Sequence, residues 1–116
     1  MPTIAVDEVF VALADTTRRH ILELTATAGR HSASSLAAML PISRQATAKH
    51  LLILEQAGLV SRERRGKEIC FSVQAHQLAA TGRWMQRIAT RWDPHHAVEA
   101  TASVRPAVQQ QALDTG

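Results

Sequence analysis

Apolar residues first recur at helical spacing at Val6, Val9, Phe10, Leu13 and Ala14, which predicts an amphipathic helix over residues 6–14. Asp15, Thr16 and Thr17 interrupt that pattern and can cap a second helix, TTRRHILELTAT, with Ile21, Leu22 and Leu24 as its apolar face and Gly29 at its end. Beyond the polar RHSAS, the segment SSLAAML predicts a short helix that presents Leu36, Ala37, Met39 and Leu40, capped by Ser34 or Ser35. Pro41 forbids its continuation, because proline lacks an N–H and its ring clashes with the preceding turn.

The run SRQATAKHLLILEQAGLV, from Ser43 to Val60, changes character halfway. As a helix it places Ala46, His50, Leu54 and Ala57 near one face, flanked by Leu51 and Ile53, while Arg44, Gln45, Ala48 and Lys49 point elsewhere. The polar first turns are therefore free to touch a partner, and LLIL anchors the helix in a core. Gly58 suits the left-handed position that ends a helix. Two helices joined by a tight turn, the second one polar at its start, form a helix-turn-helix pattern.

LVSRERRGKEICFSV then predicts a β-hairpin that turns at Arg65-Gly66-Lys67, with Val60, Ile69, Phe71 and Val73 inward. A last helix is predicted from about His76 to Trp92, with Leu78, Met85, Ile88 and Trp92 along one stripe. A chain this small has little with which to cover such a stripe, so it is a candidate surface for a second copy. From Asp93 the composition shifts to Ala, Val, Gln, Thr and Ser, which predicts a flexible tail over 93–116 behind a single domain over 1–92. The expected fold is mainly α with a small β-hairpin. Helix, helix, helix-turn-helix, hairpin and helix is the order of a winged helix-turn-helix domain.

Composition agrees with an aliphatic, helical core, since 46% of the 116 residues are apolar but only 3% are aromatic. Charge adds a direction. The formal net charge is only +3, yet Ser43 to Ile69 holds six basic residues (Arg44, Lys49, Arg62, Arg64, Arg65, Lys67) against Glu55, Glu63 and Glu68, and the remainder is balanced. Clustered positive charge is the footprint of a polyanion partner. No apolar run approaches the ~20 residues of a membrane span. MPTIAVDEVF lacks the basic start of a secretory signal, so a cytoplasmic protein without a membrane partner is expected. Cys70 is the only cysteine, which excludes an intrachain disulfide and a Cys-pair metal site within one subunit. No Ser/His/Asp order, phosphate-cradling glycine loop or convergent carboxylate pair points to an enzyme, and no cofactor is expected.

FVALADTTRRHILELT, SRQATAKHLLILEQAGLV and RRGKEICFSV resemble the ArsR-type (arsenical-resistance repressor) transcriptional regulators, over roughly residues 8 to 92. The resemblance implies a homodimeric winged helix-turn-helix repressor of double-stranded DNA. Its first and last helices would build the dimer, here through Val9, Phe10, Leu78, Met85, Ile88 and Trp92. The helix opened by Ser43 would enter the major groove, with the hairpin as a wing beside it. Arg44 and Gln45 can offer paired hydrogen bonds to guanine and adenine, and Ser43 and Thr47 can reach phosphates or bases. Lys49, Arg62, Arg64, Arg65 and Lys67 suit phosphate contacts. Ser43 is equally a helix cap, and His50 is a candidate both for packing and for a DNA contact.

The chain also departs from the family's sensors. Arsenic-sensing relatives carry Cys-x-Cys in the first helix of the helix-turn-helix, where this chain has HSASSLAAML. Zinc-sensing relatives place ligands along the last helix, where only His76 survives and Gln86, Arg87, Ala89 and Thr90 occupy the later turns. DPHHAVE leaves Asp93, His95, His96 and Glu99 as weak candidate ligands, and Cys70 is either a buried structural thiol or an oxidisable one. The small-molecule effector, if the chain has one, is unassigned. The alternatives are a sensor with a non-standard metal or thiol site and a winged-helix module that binds proteins. A protein-binding derivative has no need of Arg44 or of the wing arginines, which argues against that second alternative.

Overall fold

Short polar side chains set where the helices begin. The structure, a computed structural model, describes residues 3–92. Its elements are α1 (Thr3–Leu13), α2 (Thr16–Thr25), α3 (Ala33–Ala37), α4 (Arg44–Gln56), β1 (Val60–Arg65), β2 (Glu68–Val73) and α5 (Ala75–Arg91). Asp15 caps α2 by accepting from the Arg18 backbone N–H, and Ser43 caps α4 by accepting from that of Ala46. The cap of α3 is Ser32 rather than Ser34 or Ser35. Its hydroxyl accepts from the Ser35 N–H while the Ser35 hydroxyl accepts from the Ser32 N–H, a reciprocal box that only this serine can close.

The core forms where α1 to α4 meet the root of the hairpin, around Val9, Ile21, Leu36, Leu51, Leu54 and Leu59. Each fully buried aliphatic side chain of this size contributes about 1.5–3 kcal/mol, so α4 is held chiefly by Leu51 and Leu54. Of the face expected from Ala46, His50, Leu54 and Ala57 with Leu51 and Ile53 beside it, Leu51, Leu54 and Ala57 are buried, Ala46, His50 and Ile53 are half-buried, and Thr47 joins the buried stripe. Thr47 can be buried because its hydroxyl donates to the Ser43 carbonyl at 2.9 Å. Gly58 (φ 76°) closes α4, with Leu59 N–H donating to Leu54 O and Gly58 N–H to Glu55 O, both at 2.9 Å.

β1 and β2 pair antiparallel from Val60↔Val73 to Arg65↔Glu68, leaving the two-residue turn Gly66-Lys67. Gly66 supplies φ 63° and Lys67 stays at negative φ, the pattern of a II′ turn. One edge of β2 is sewn to the loop before α3: Phe71 N–H donates to His31 O at 2.7 Å, and Ser32 bridges Cys70. The fold is thus mainly helical with a small antiparallel hairpin, a winged helix-turn-helix in which α3 and α4 form the helix-turn-helix.

The chain divides between Thr81 and Gly82, within α5, into two compact units. In the first, Ala80 and Thr81 are buried. In the second, none of the described residues from Gly82 to Trp92 is buried. Among the described residues no helix is long and apolar enough to cross a membrane. The expected tail over 93–116 lies outside the described residues.

Candidate nucleic-acid interface

α4 offers a stable platform because its inner side chains have no freedom. Thr47, Leu51 and Leu54 are fully buried, and Gln45, Ala48, Lys49 and Leu52 are exposed along the other side. Gln45 and Lys49 are therefore presented to solvent from a rigid element. Ala48 between them was without a role in the sequence, although a small apolar side chain there can meet a thymine methyl. The expectation that Thr47 reaches a phosphate or base is corrected: it is 0% exposed and its hydroxyl is occupied.

Arg44 sits at the side of that face, where its Nε donates to Ser34 Oγ at 2.9 Å and ties α4 to α3. Beside it opens a cleft of about 670 Å³ between the helix-turn-helix and the wing, lined by Ser34, Ser35, Arg44, Arg62, Lys67 and Glu68 among others. The candidate residues Arg44, Arg62 and Lys67 thus come together around one cavity. Arg65 does not join them. Pleating puts it on the other face of the hairpin, where it pairs with Glu63 at 3.6 Å. Arg64 shares the Arg62 face and donates to the Gly66 carbonyl at 3.3 Å. Arg62 is engaged within the protein, against Glu55 and over the Phe71 ring.

His50 is half-buried and lies off the outward face, its Nδ1 3.4 Å from Arg18 Nη1. Arg18 is the residue the sequence did not reveal. Its guanidinium donates to the carbonyls of Ala12 (2.7 Å) and Val11 (3.2 Å), which closes the C-terminus of α1 and joins α1, α2 and α4 at one point. A signal was available, since cations are unfavourable in the first turn of a helix and Arg18 and Arg19 both stand there. Each reaches back to α1, Arg19 through the Leu13 carbonyl. The Arg18 backbone N–H, followed by the Arg18 charge, holds the Asp15 carboxyl below its ordinary range.

For the expected dimer contacts, one correction is needed. Val9 is 0% exposed within its own subunit, so it is a core residue and no surface. Phe10, Leu78, Met85 and Ile88 are partly exposed, and Trp92 is 78% exposed. Among the described residues no three His, Cys, Asp or Glu side chains gather as metal ligands do. Asp93, His95, His96 and Glu99 lie outside the described residues. Cys70 is a free, buried thiol on β2.

Residues 13–63 match the model of a helix-turn-helix domain family. The chain is 34% identical over 87 residues to the transcriptional repressor SdpR of Bacillus subtilis, covering 75% of this chain and 96% of that one. It superposes on an ArsR-like transcriptional regulator from Rhodococcus sp. RHA1 with a TM-score of 0.72 and 41% identity, over 85% of this chain and 92% of the other. The chain belongs to the ArsR-like winged helix-turn-helix transcriptional regulators. A solution NMR structure of the homodimeric winged helix-turn-helix DNA-binding domain Mb0332 from Mycobacterium bovis is also similar, with a TM-score of 0.60 and 26% identity over 73% of this chain and 78% of that one. As an ArsR-like regulator the chain is a DNA-binding protein, and α4 with the β1–β2 wing is its candidate DNA-binding face.

Proposed function

We propose that this ArsR-like regulator is a homodimeric repressor that binds an inverted repeat, its own promoter included, and that it does so without the metal-sensing motifs of the family. The observation that carries the DNA reading is α4 itself: Gln45 and Lys49 project from a helix whose opposite side is fully buried, with Arg44 and the cationic wing beside them. Gln45 and Arg44 read base edges, Ala48 contacts a methyl group, and Ser43, Lys49, Arg64, Arg65 and Lys67 contact the backbone. The repressor reading draws support from the likeness to SdpR, and the dimer from the homodimeric Mycobacterium bovis domain. Exposed Met85 and Ile88 on α5, with Trp92 just beyond its end, are the surface offered to the second copy, and Phe10 on α1 is a separate candidate.

Selection of binding sites from a randomised duplex pool tests the proposal. A two-fold dimer enriches near-palindromic sites with half-sites about one helical turn, or a multiple of it, apart. Enrichment of a single asymmetric half-site contradicts the dimer. Arg44→Ala should weaken the selected site by about 1–3 kcal/mol and relax one base position, whereas Arg65→Ala should weaken all sequences alike and lower the salt slope by about one. Equal effects of both variants on selected and random DNA remove Arg44 from base reading.

A further inference from the structure

The wing of a two-stranded hairpin is a weak lever unless both of its strands are held. β2 is held by backbone, through Phe71 to His31 and through the Ser32–Cys70 bridge. β1 has β2 on one side and no strand on its other edge among the described residues. What ties its face to α4 is a side chain of that helix. Glu55, in the last turn of that helix, takes the Arg62 guanidinium in a fork: Nε lies 3.0 Å from both carboxylate oxygens and Nη2 lies 2.9 Å from Oε1. Arg62 is paired in register with Phe71 on β2, and its guanidinium carbon sits 5.4 Å from the centre of that ring. One planar cation therefore touches α4, β1 and β2 at once.

We infer that Glu55 and Arg62 form a latch that sets the wing against the recognition helix, so that Arg62 acts as a positioning residue and not as a phosphate contact. The inference rests on the DNA-binding reading for its consequence, and on the geometry of the free protein for its existence. A half-exposed ion pair adds little to folding stability, so the effect of this one is on direction. Arginine's planar fork fixes an angle where the point charge of a lysine would not. Glu55 also answers the Arg62 charge, which leaves Lys67 as the cation of the cleft available to a phosphate and Arg44 free for the base edges.

The latch makes a prediction opposite to charge counting. Glu55→Gln removes a negative charge from a DNA-binding face, which by simple electrostatics tightens DNA binding. With the latch, Glu55→Gln and Arg62→Gln each weaken specific binding by about tenfold, the usual size of coupling between groups in direct contact. The double variant loses no more than either single one, Arg62→Lys fails to restore binding, and the exchanged pair Glu55→Arg with Arg62→Glu recovers much of it. Tighter binding by Glu55→Gln, restoration by Arg62→Lys, or additive losses overturn the latch and return Arg62 to the phosphate contacts. Amide hydrogen exchange of the full-length protein without DNA provides the independent arm. Glu55→Gln and Arg62→Gln should speed exchange across residues 61–72 with α2 and α3 unchanged, and unchanged exchange in the wing overturns the latch. Failure of the wild-type protein to bind any duplex defeats the DNA reading instead, and the exchange arm still decides the latch.

Discussion

Along α4 the side chains of Thr47, Leu51 and Leu54 have no exposed surface, whereas along α5 from Gly82 to Arg91 no side chain is buried. Both helices carry an apolar stripe, one buried and one exposed. In α4 the stripe consumes its hydrophobicity inside the subunit, so the opposite face can hold Gln45 and Lys49 still for a partner. In α5 Met85 and Ile88 are exposed, as is Trp92 just beyond its end, and these are the residues proposed to meet a second copy. A helical stretch of this length is marginal alone in water and needs an apolar neighbour. The lesson is that a helix can advertise function through its polar residues when the other face is anchored, and through its apolar ones when it is not.

Leu54→Ala strikes the anchored helix hardest. It should lower the free energy of unfolding by about 2–5 kcal/mol, the transfer loss plus a cavity, read by urea denaturation. A loss near zero removes Leu54 from the core that steadies α4. Charging the other helix tests the contrasting half. Met85→Glu with Ile88→Glu should leave the helical content intact, shift the mass in analytical ultracentrifugation from dimer to monomer, and weaken binding to an inverted repeat by about 100-fold through lost bivalency. An unchanged dimer mass would take α5 out of the interface.

The entry to α4 is a smaller matter. Ser43→Ala deletes the acceptor for the Ala46 N–H and should destabilise the protein by about 1 kcal/mol. If Ser43 also contacts DNA, its loss weakens binding in the fully folded protein too, and equal affinity at low temperature assigns it to capping alone. The smallest effect concerns the junction at Arg18, against which His50 of α4 rests. The Asp15 carboxyl is held below its ordinary value of 3.8, so the stabilisation is fully present above that value and is lost as pH falls through the depressed folded one. Asp15→Asn keeps a good capping side chain and should flatten this acid-side loss when unfolding is compared just above and well below pH 3.8. An identical acid profile in the variant shows that Asp15 contributes nothing to it.

Much of this was legible in the residues. Pro41, Gly58 and Gly66 marked the boundaries, and spacing of apolar residues located every helix and the hairpin. The errors share a cause. Thr47 looked polar and was assigned to the DNA, because the sequence does not show that its hydroxyl turns back to the Ser43 carbonyl. Val9 looked available for a partner, because periodicity identifies an apolar face without saying what covers it. Ser32 lost to its neighbours Ser34 and Ser35 for want of the reciprocal bond that singles it out. Arg62 is a different case: it remains a wing candidate, and only its ion pair with Glu55, across the turn at Gly58, was invisible along the chain. The candidate site was therefore readable in its charge and its location, and unreadable in which cations are already answered within the protein.

The most direct test is fluorescence anisotropy of the wild-type protein on the duplex upstream of its own coding sequence and on a random duplex, across a salt series with and without zinc. The account predicts selective binding to the upstream duplex, an affinity that falls steeply and linearly in log–log form with salt as phosphate contacts are lost, and no response to zinc. Equal affinity for both duplexes, or no binding at low salt, contradicts a sequence-specific regulator acting through α4 and its wing.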